Sequence, residues 1–264
     1  MLATVLSIAP FAHCSIDKDR KVVANRLAEQ IEHAKLRRIY VMDFLDPAGA
    51  RTDRGCYFAS VFSANLKKDL NGFEVLNRAE VQKLLDSAEV SFPLLQKPEV
   101  VPKIGAIVGA DAILQATMAV KGGVISLDLS LRETSTGSSF YQTHYEEKVS
   151  ASFEASFPAS SDTLGHIFYF PGLDGLSTPK CLSCPQPSYT DGARKRKVSG
   201  SLIVSVHVTE QGAVDDVRVV DRLDPDLDRA ALKIIRTWKL QPTKDSLGTA
   251  VPTRVPVEVT FHLY

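Results

Sequence analysis

An excess of charge of either sign is absent from this sequence: Lys+Arg and Asp+Glu number 31 each, and the formal net charge is zero. Such a chain has no field to draw it onto nucleic acid or an anionic membrane, and neither is expected as a partner. Long apolar runs are lacking too. No stretch approaches the roughly 20 residues that cross a bilayer as a helix, so no stable transmembrane span is expected. Cysteine is scarce, with four residues at positions 14, 56, 181 and 184. That is too few for a disulfide framework, and no His/Cys spacing matches a zinc site. The six histidines (His13, His33, His144, His166, His207 and His262) never fall together on one helix face, and each reads as a strand or surface residue. Gly105/Gly109 and Gly122-Gly123 are not followed by Gly-Lys-Ser/Thr, which excludes a phosphate loop. With no catalytic constellation, no metal ligands and no cofactor motif, the chain reads as a non-enzyme.

What is present is ordinary for a globular protein: 44% hydrophobic and 23% charged residues, enough to bury a core without metals. At 264 residues, two domains are expected. Met1–Ala12 (MLATVLSIAPFA) is apolar and short, like the h-region of a secretory signal, although no basic residues precede it. Ala12-His13-Cys14 has small residues at both positions of a cleavage site. Export to the periplasm is the expectation, with residues 1–20 as signal or N-terminal segment; a buried N-terminal helix is the alternative.

Residues 21–150 alternate between helical and strand periodicity. Val23, Leu27, Ile31 and Leu36 recur at helical spacing, and Arg38–Phe44 then reads as a strand. Phe58, Phe62, Leu66 and Leu70 fall four apart, a buried helical stripe ended by Asn71-Gly72. Phe73–Leu76 is a short strand, Arg78–Ser87 a helix and Ile104–Val108 another. Three strand-like runs follow, Ala112–Val120, Val124–Leu131 and Phe140–Val149, with tight turns between them. This order predicts an α/β domain with helices on a mixed sheet. Asp43 at the end of its strand either lines a ligand cleft or caps the following turn.

Residues 151–185 form a connecting segment rich in Ser, Pro and Gly, yet Phe153, Phe157, Phe168, Tyr169 and Phe170 imply that part of it packs on a domain. From Leu202 to Thr209 apolar and polar residues alternate, Glu210-Gln211-Gly212 turns, and Val214–Val220 returns antiparallel. Leu227, Ala230, Ala231, Ile234 and Trp238 then fall at helical spacing, with Asp224 or Asp226 placed to cap the helix and Pro242 to close it. Val255, Val257, Val259, Phe261 and Leu263 share one face of a final strand. Arg194–Lys197 is the only basic run, and without aromatics around it reads as the solvated face of a short helix.

Pro187-Ser188-Tyr189, Ala193-Arg194, Gly200, Gly212, Val219, Leu227-Asp228, Ala230-Ala231, Trp238 and Pro242 together resemble the C-terminal domain of TonB, the periplasmic energy transducer of Gram-negative bacteria. Residues 186–264 are therefore expected to fold as a small α+β domain, a three-stranded antiparallel sheet with a packed helix. In that family the domain binds outer-membrane receptors. This chain departs from the pattern in having neither a long N-terminal anchor nor a Pro-rich rod, so peptide binding rather than force transmission is expected. Over residues 36–148, Val41-Met42-Asp43-Phe44, Leu76-Asn77-Arg78, Gly109-Ala110-Asp111-Ala112 and Thr136-Gly137 resemble the α/β domain shared by CsgG and the N-terminal part of TolB, an envelope assembly module.

These resemblances imply an envelope protein partner, an outer-membrane receptor among the candidates. A structural module that packs or forms a homodimer is the alternative. Pro179-Lys180-Cys181-Leu182-Ser183-Cys184-Pro185 looks like the entry segment of a TonB-like subset. With prolines around it no helix N-terminus is present to activate a thiol, so a Cys181–Cys184 disulfide is expected. Proline survives in a sheet where its missing N–H faces outward from an edge, so Pro256 marks the final strand as an edge. Amide direction alternates along a strand, and the amides of Glu258, Thr260 and His262 then face outward as well. The partner-binding segment is accordingly assigned to Glu258, Val259, Thr260, Phe261, His262 and Leu263. The break in periodicity between Ser150 and Gly192 predicts that limited proteolysis cuts there and leaves two resistant fragments; a single resistant core spanning it would refute independent folding.

Overall fold

Three consecutive apolar residues, Ile39, Tyr40 and Val41, are all buried, as a strand covered on both faces requires. They belong to β2 (Arg38–Val41) in the computed structural model, which describes residues 6–8, 17–68, 72–88, 97–149, 170–172 and 176–262. β2 lies between β3 (Glu74–Val75) and β4 (Ala112–Lys121) and runs parallel to both. β5 (Val124–Glu133) and β6 (Ser139–Lys148) continue as an antiparallel meander, giving the order β3-β2-β4-β5-β6. One face of this mixed sheet meets α1 (Asp17–His33) and α2 (Asp53–Lys68), whose Leu27, Ile31, Phe58, Phe62 and Leu66 are fully buried. The Phe62 ring lies 5.6 Å from Phe44 and 6.3 Å from Tyr145. Gly55 lets α2 start this close to the strand exit, since a Cβ there would sit 1.8 Å from the Phe44 carbonyl oxygen. On the other face, α3 (Arg78–Ser87) and α4 (Val101–Val108) pack Val81, Leu85, Val101 and Ile104 against Tyr40, Met42 and Ile113.

The chain divides into two compact units. One is built from Cys14–Val149, the other from Phe168–Tyr264 with Met1–His13, and shorter pieces of the intervening segment fall to each. In the second unit, β8 (Gly200–Val208) pairs antiparallel with β9 (Val214–Asp221) and with β13 (Thr253–Phe261). The connection from β9 is α6 (Pro225–Ile235), preceded in the chain by the single turn of α5 (Asp191–Lys195). Two small two-stranded ladders are added, β7 (Lys180–Ser183) with the distant β10 (Lys239–Gln241), and the hairpin of β11 (Thr243–Lys244) with β12 (Ala250–Val251).

Two sequence expectations are corrected here. The sheet has four strands rather than three: β1 (Leu6–Ile8) joins it in the order β1-β13-β8-β9. The α6 helix ends at Ile235, so Trp238 stands beyond it in a turn, and Pro242 lies between β10 and β11 rather than closing a helix. Apolar spacing carried past the true end because Trp238 and Leu240 are buried in the same core as the helix.

α1 is tied to β6 by a buried ion pair. Arg20 Nε and Nη2 donate to the two Glu147 oxygens at 2.7 and 2.5 Å, and the Tyr145 hydroxyl donates to Glu147 at 2.6 Å. The guanidinium also lies 4.9 Å from the centroid of the Phe58 ring. Burial disfavours the charged Arg20, but Glu147 outweighs it and holds the arginine more basic than usual. Glu147→Ala leaves that cation buried alone and is expected to destabilise the first unit by about 3–5 kcal/mol in denaturant titration. The double change Arg20→Met with Glu147→Leu should recover most of the loss. Equal losses in the single and double variants would show that geometry, not charge, is what the site supplies.

Candidate functional site

The second unit presents one sheet face to a single helix. Leu202, Val204, Val206 and Val208 of β8 and Val255, Val257, Val259 and Phe261 of β13 are buried against Leu227, Ala231 and Ile235. The helix starts where it does because Asp224 accepts hydrogen bonds from the Asp226 and Leu227 amides at 2.9 and 3.3 Å, with Pro225 in the first turn. Asp228, one turn on, accepts from the Leu223 and Asp224 amides. Arg196 donates to Asp224 and Asp226 at 2.7–2.8 Å, joining the end of α5 to the start of α6, and it holds both carboxyls below the ordinary range. So the basic run 194–197 is not only a solvated face.

The entry segment is also bound into this unit. Trp238, 2% exposed, donates its indole N–H to the Pro185 carbonyl at 3.0 Å. The Tyr189 ring meets Phe261 edge-on at 5.8 Å, and its hydroxyl donates to the Val198 carbonyl. Cys181 and Cys184 are joined by a disulfide, with Cys181 exposed and Cys184 packed against the core. Gly212 holds φ at +78°, and a Cβ there would sit 1.9 Å from the Leu240 carbonyl oxygen, so the β8–β9 turn can lie directly on β10.

The two strands that flank β8 differ in what they present on the side away from it. The β8–β9 ladder slips register twice, between Ile203/Val204 and His207/Val208, and β9 carries Asp215, Asp216, Arg218 and Asp221. Bulges and charges of that kind blunt an edge. β13, by contrast, pairs with β8 through nine consecutive residue pairs without a shift. Its outer side already carries a strand: Leu6, Ser7 and Ile8 stand opposite Val259, Glu258 and Val257, antiparallel. Val259 and Phe261 are buried on the core face, while Glu258 and Thr260 are half-buried on the other, Thr260 bonded through its hydroxyl to Ser201 at 2.8 Å. His262 lies one residue beyond the strand, and Leu263 lies outside the described residues. Nothing in the sequence marked residues 6–8 as a strand, because the apolar stretch Met1–Ala12 fits a leader equally well.

In the first unit, Asp43 is buried and borders a cleft at the end of its strand. It is buried between Arg51 Nε, at 2.5 Å, and Arg78, which also donates to the Val41 carbonyl at 2.7 Å. Burial alone would raise the Asp43 carboxyl, but the two guanidiniums outweigh it and hold the group below its usual value. Burial also pushes the neighbouring Cys56 thiol up to about 12, so it stays protonated and inert. A cleft of about 150 Å³ opens at Asp43 and is lined further by Gln115, Thr117, Asp128, Ser130 and Arg132. These polar residues share the sheet face that α3 and α4 cover only in part, and the alternation along β4 and β5 is the sequence signal for them. His144 on β6 bonds Asp128 at 2.8 Å and faces Glu146, and both raise its basicity. Among the described residues no group of three His, Cys, Asp or Glu is placed to hold a metal ion, and no helix is long and apolar enough to cross a membrane.

The sequence model of the family described as Gram-negative bacterial TonB protein C-terminal matches residues 185–263. Protein TonB of Escherichia coli (strain K12) is 28% identical over 93 residues, which is 35% of this chain and 39% of that protein. The chain thus spans well under half the length of the curated relative it matches. Among solved structures, the C-terminal domain of TonB from Pseudomonas aeruginosa is 24% identical, with 32% of this chain and 86% of that one covered and a TM-score of 0.28. The LpoB C-terminal domain from Salmonella enterica is 12% identical, covering 51% of this chain and 99% of that one, with a TM-score of 0.39.

A carboxyl held below its ordinary pKa in the fold stabilises above the unfolded value, and that contribution disappears as pH falls through the folded value. The first unit should therefore lose stability in acid, from about pH 4 downward, as Asp43 takes up its proton. Asp43→Asn is expected to lower the thermal midpoint at pH 7 and to flatten this acid limb in melts run between pH 7 and 3. An unchanged limb would assign the acid sensitivity to other carboxylates.

Proposed function

Because residues 185–263 are a TonB C-terminal domain, we propose that this chain is a non-enzymatic protein-interaction module of the Gram-negative cell envelope, placed in the periplasm. Its second unit captures a peptide segment of a partner, an outer-membrane receptor or another envelope protein, as an added strand on the outer edge of β13 between Glu258 and Leu263. The first unit docks a further envelope component. One observation carries the reading: the β13 edge holds an antiparallel strand, Leu6–Ile8, while the opposite edge is bulged and charged. A row of outward amides and carbonyls supplies affinity in such pairing, and side chains at alternate positions supply selectivity. Pro256 limits the footprint, since a strand added beside it loses one hydrogen bond.

Thr260→Pro removes one outward amide and leaves the β8 ladder and the core face in place. The full chain should recover outer-membrane receptors from a Gram-negative envelope extract, and the Thr260→Pro chain should not. Loss of the Thr260–Ser201 bond should cost only about 1 kcal/mol of stability. Equal recovery by both chains excludes this edge, and recovery of nothing but a second copy of the chain assigns the module to packing or dimerisation.

A further inference from the structure

The strand that fills the β13 edge belongs to the same chain, and its footprint overlaps the docking segment at Glu258 and Val259. It is short: three residue pairs, against the nine that join β13 to β8 on the other side. Among the described residues no strand pairs with the outer side of β13 before Val257 or after Val259. A longer incoming strand therefore has ladder to gain that β1 leaves unused. Register also sets the chemistry that suits this edge. Positions 6 and 8 stand opposite Val259 and Val257, whose side chains belong to the buried face, and position 7 stands opposite half-buried Glu258. An occupant of this pattern is apolar, polar, apolar and runs antiparallel to β13, as Leu6-Ser7-Ile8 does.

We infer that Leu6–Ile8 is a built-in competitor for the docking edge, and that a partner strand of the same antiparallel, alternating type binds only by displacing it. This rests on the reading of β13 as the docking edge. A tethered strand competes at a high effective concentration although its own contacts are few. If it fills the edge nine-tenths of the time, it weakens an external strand about tenfold.

The test uses a fluorescein-labelled synthetic peptide with the sequence of residues 2–10, LATVLSIAP, titrated by anisotropy against three proteins. These are the full chain, the full chain with Ser7→Pro, and the chain lacking residues 1–13. The latter two should bind about tenfold more tightly than the full chain. Hydrogen exchange at the Glu258 amide should be slow in the full chain and fast in Ser7→Pro. Saturable binding of equal affinity in all three, with equal exchange at Glu258, overturns the competitor while leaving the docking edge intact. Absence of binding to every form, the chain lacking residues 1–13 included, overturns the docking edge itself and the competitor with it.

Discussion

A β-strand at the margin of a sheet leaves one row of backbone N–H and C=O groups without partners from its own ladder, and the second unit is arranged around where that row lies. Every sheet that does not close has two such margins. Here β9 is interrupted by two register shifts and lined with aspartates. β13 is regular in register and backed by a buried face of Val255, Val257, Val259 and Phe261. A regular edge of this kind is either covered or used. In this chain three residues of the N-terminal segment cover it.

Contacts distributed through the unit surround β13. Its apolar face is held by α6, whose start is defined by Asp224 and Asp228 and tied to α5 by Arg196. The end of the strand is held by Tyr189 against Phe261, and the entry segment before α5 by Trp238 and the Cys181–Cys184 link. Apart from Phe261, whose side chain is on the core face, none of these residues lies on β13.

The first unit follows a different rule, in which charge is buried and then neutralised locally. Arg20 with Glu147, and Arg51 and Arg78 with Asp43, fix helices and strand exits by pairs that are strong only because water is excluded from them. The polar residues of β4 and β5 are left on the part of the sheet that α3 and α4 do not reach, which is where the cleft forms.

Periodicity along the chain determined most of the elements by itself. Phe58, Phe62 and Leu66 defined α2, the alternation of Val204 to Val208 defined β8, and the spacing of Leu227, Ala231 and Ile234 defined α6, because burial on one face imposes a repeat that a single sequence displays. Motif residues such as Leu227-Asp228 and Trp238 likewise identified the TonB C-terminal domain. The tertiary structure alone decided the rest. Asp43 had no mark of its two arginines, which come from 8 and 35 residues further along the chain. The helical stripe ran on through Trp238 because core burial, not helix geometry, sets which residues are apolar. Leu6–Ile8 became a strand only by meeting Val257–Val259, and an apolar stretch that short has no period of its own to reveal its partner. Side-chain pattern is local and is written in the sequence, whereas which backbone edge meets which is settled only when distant segments come together.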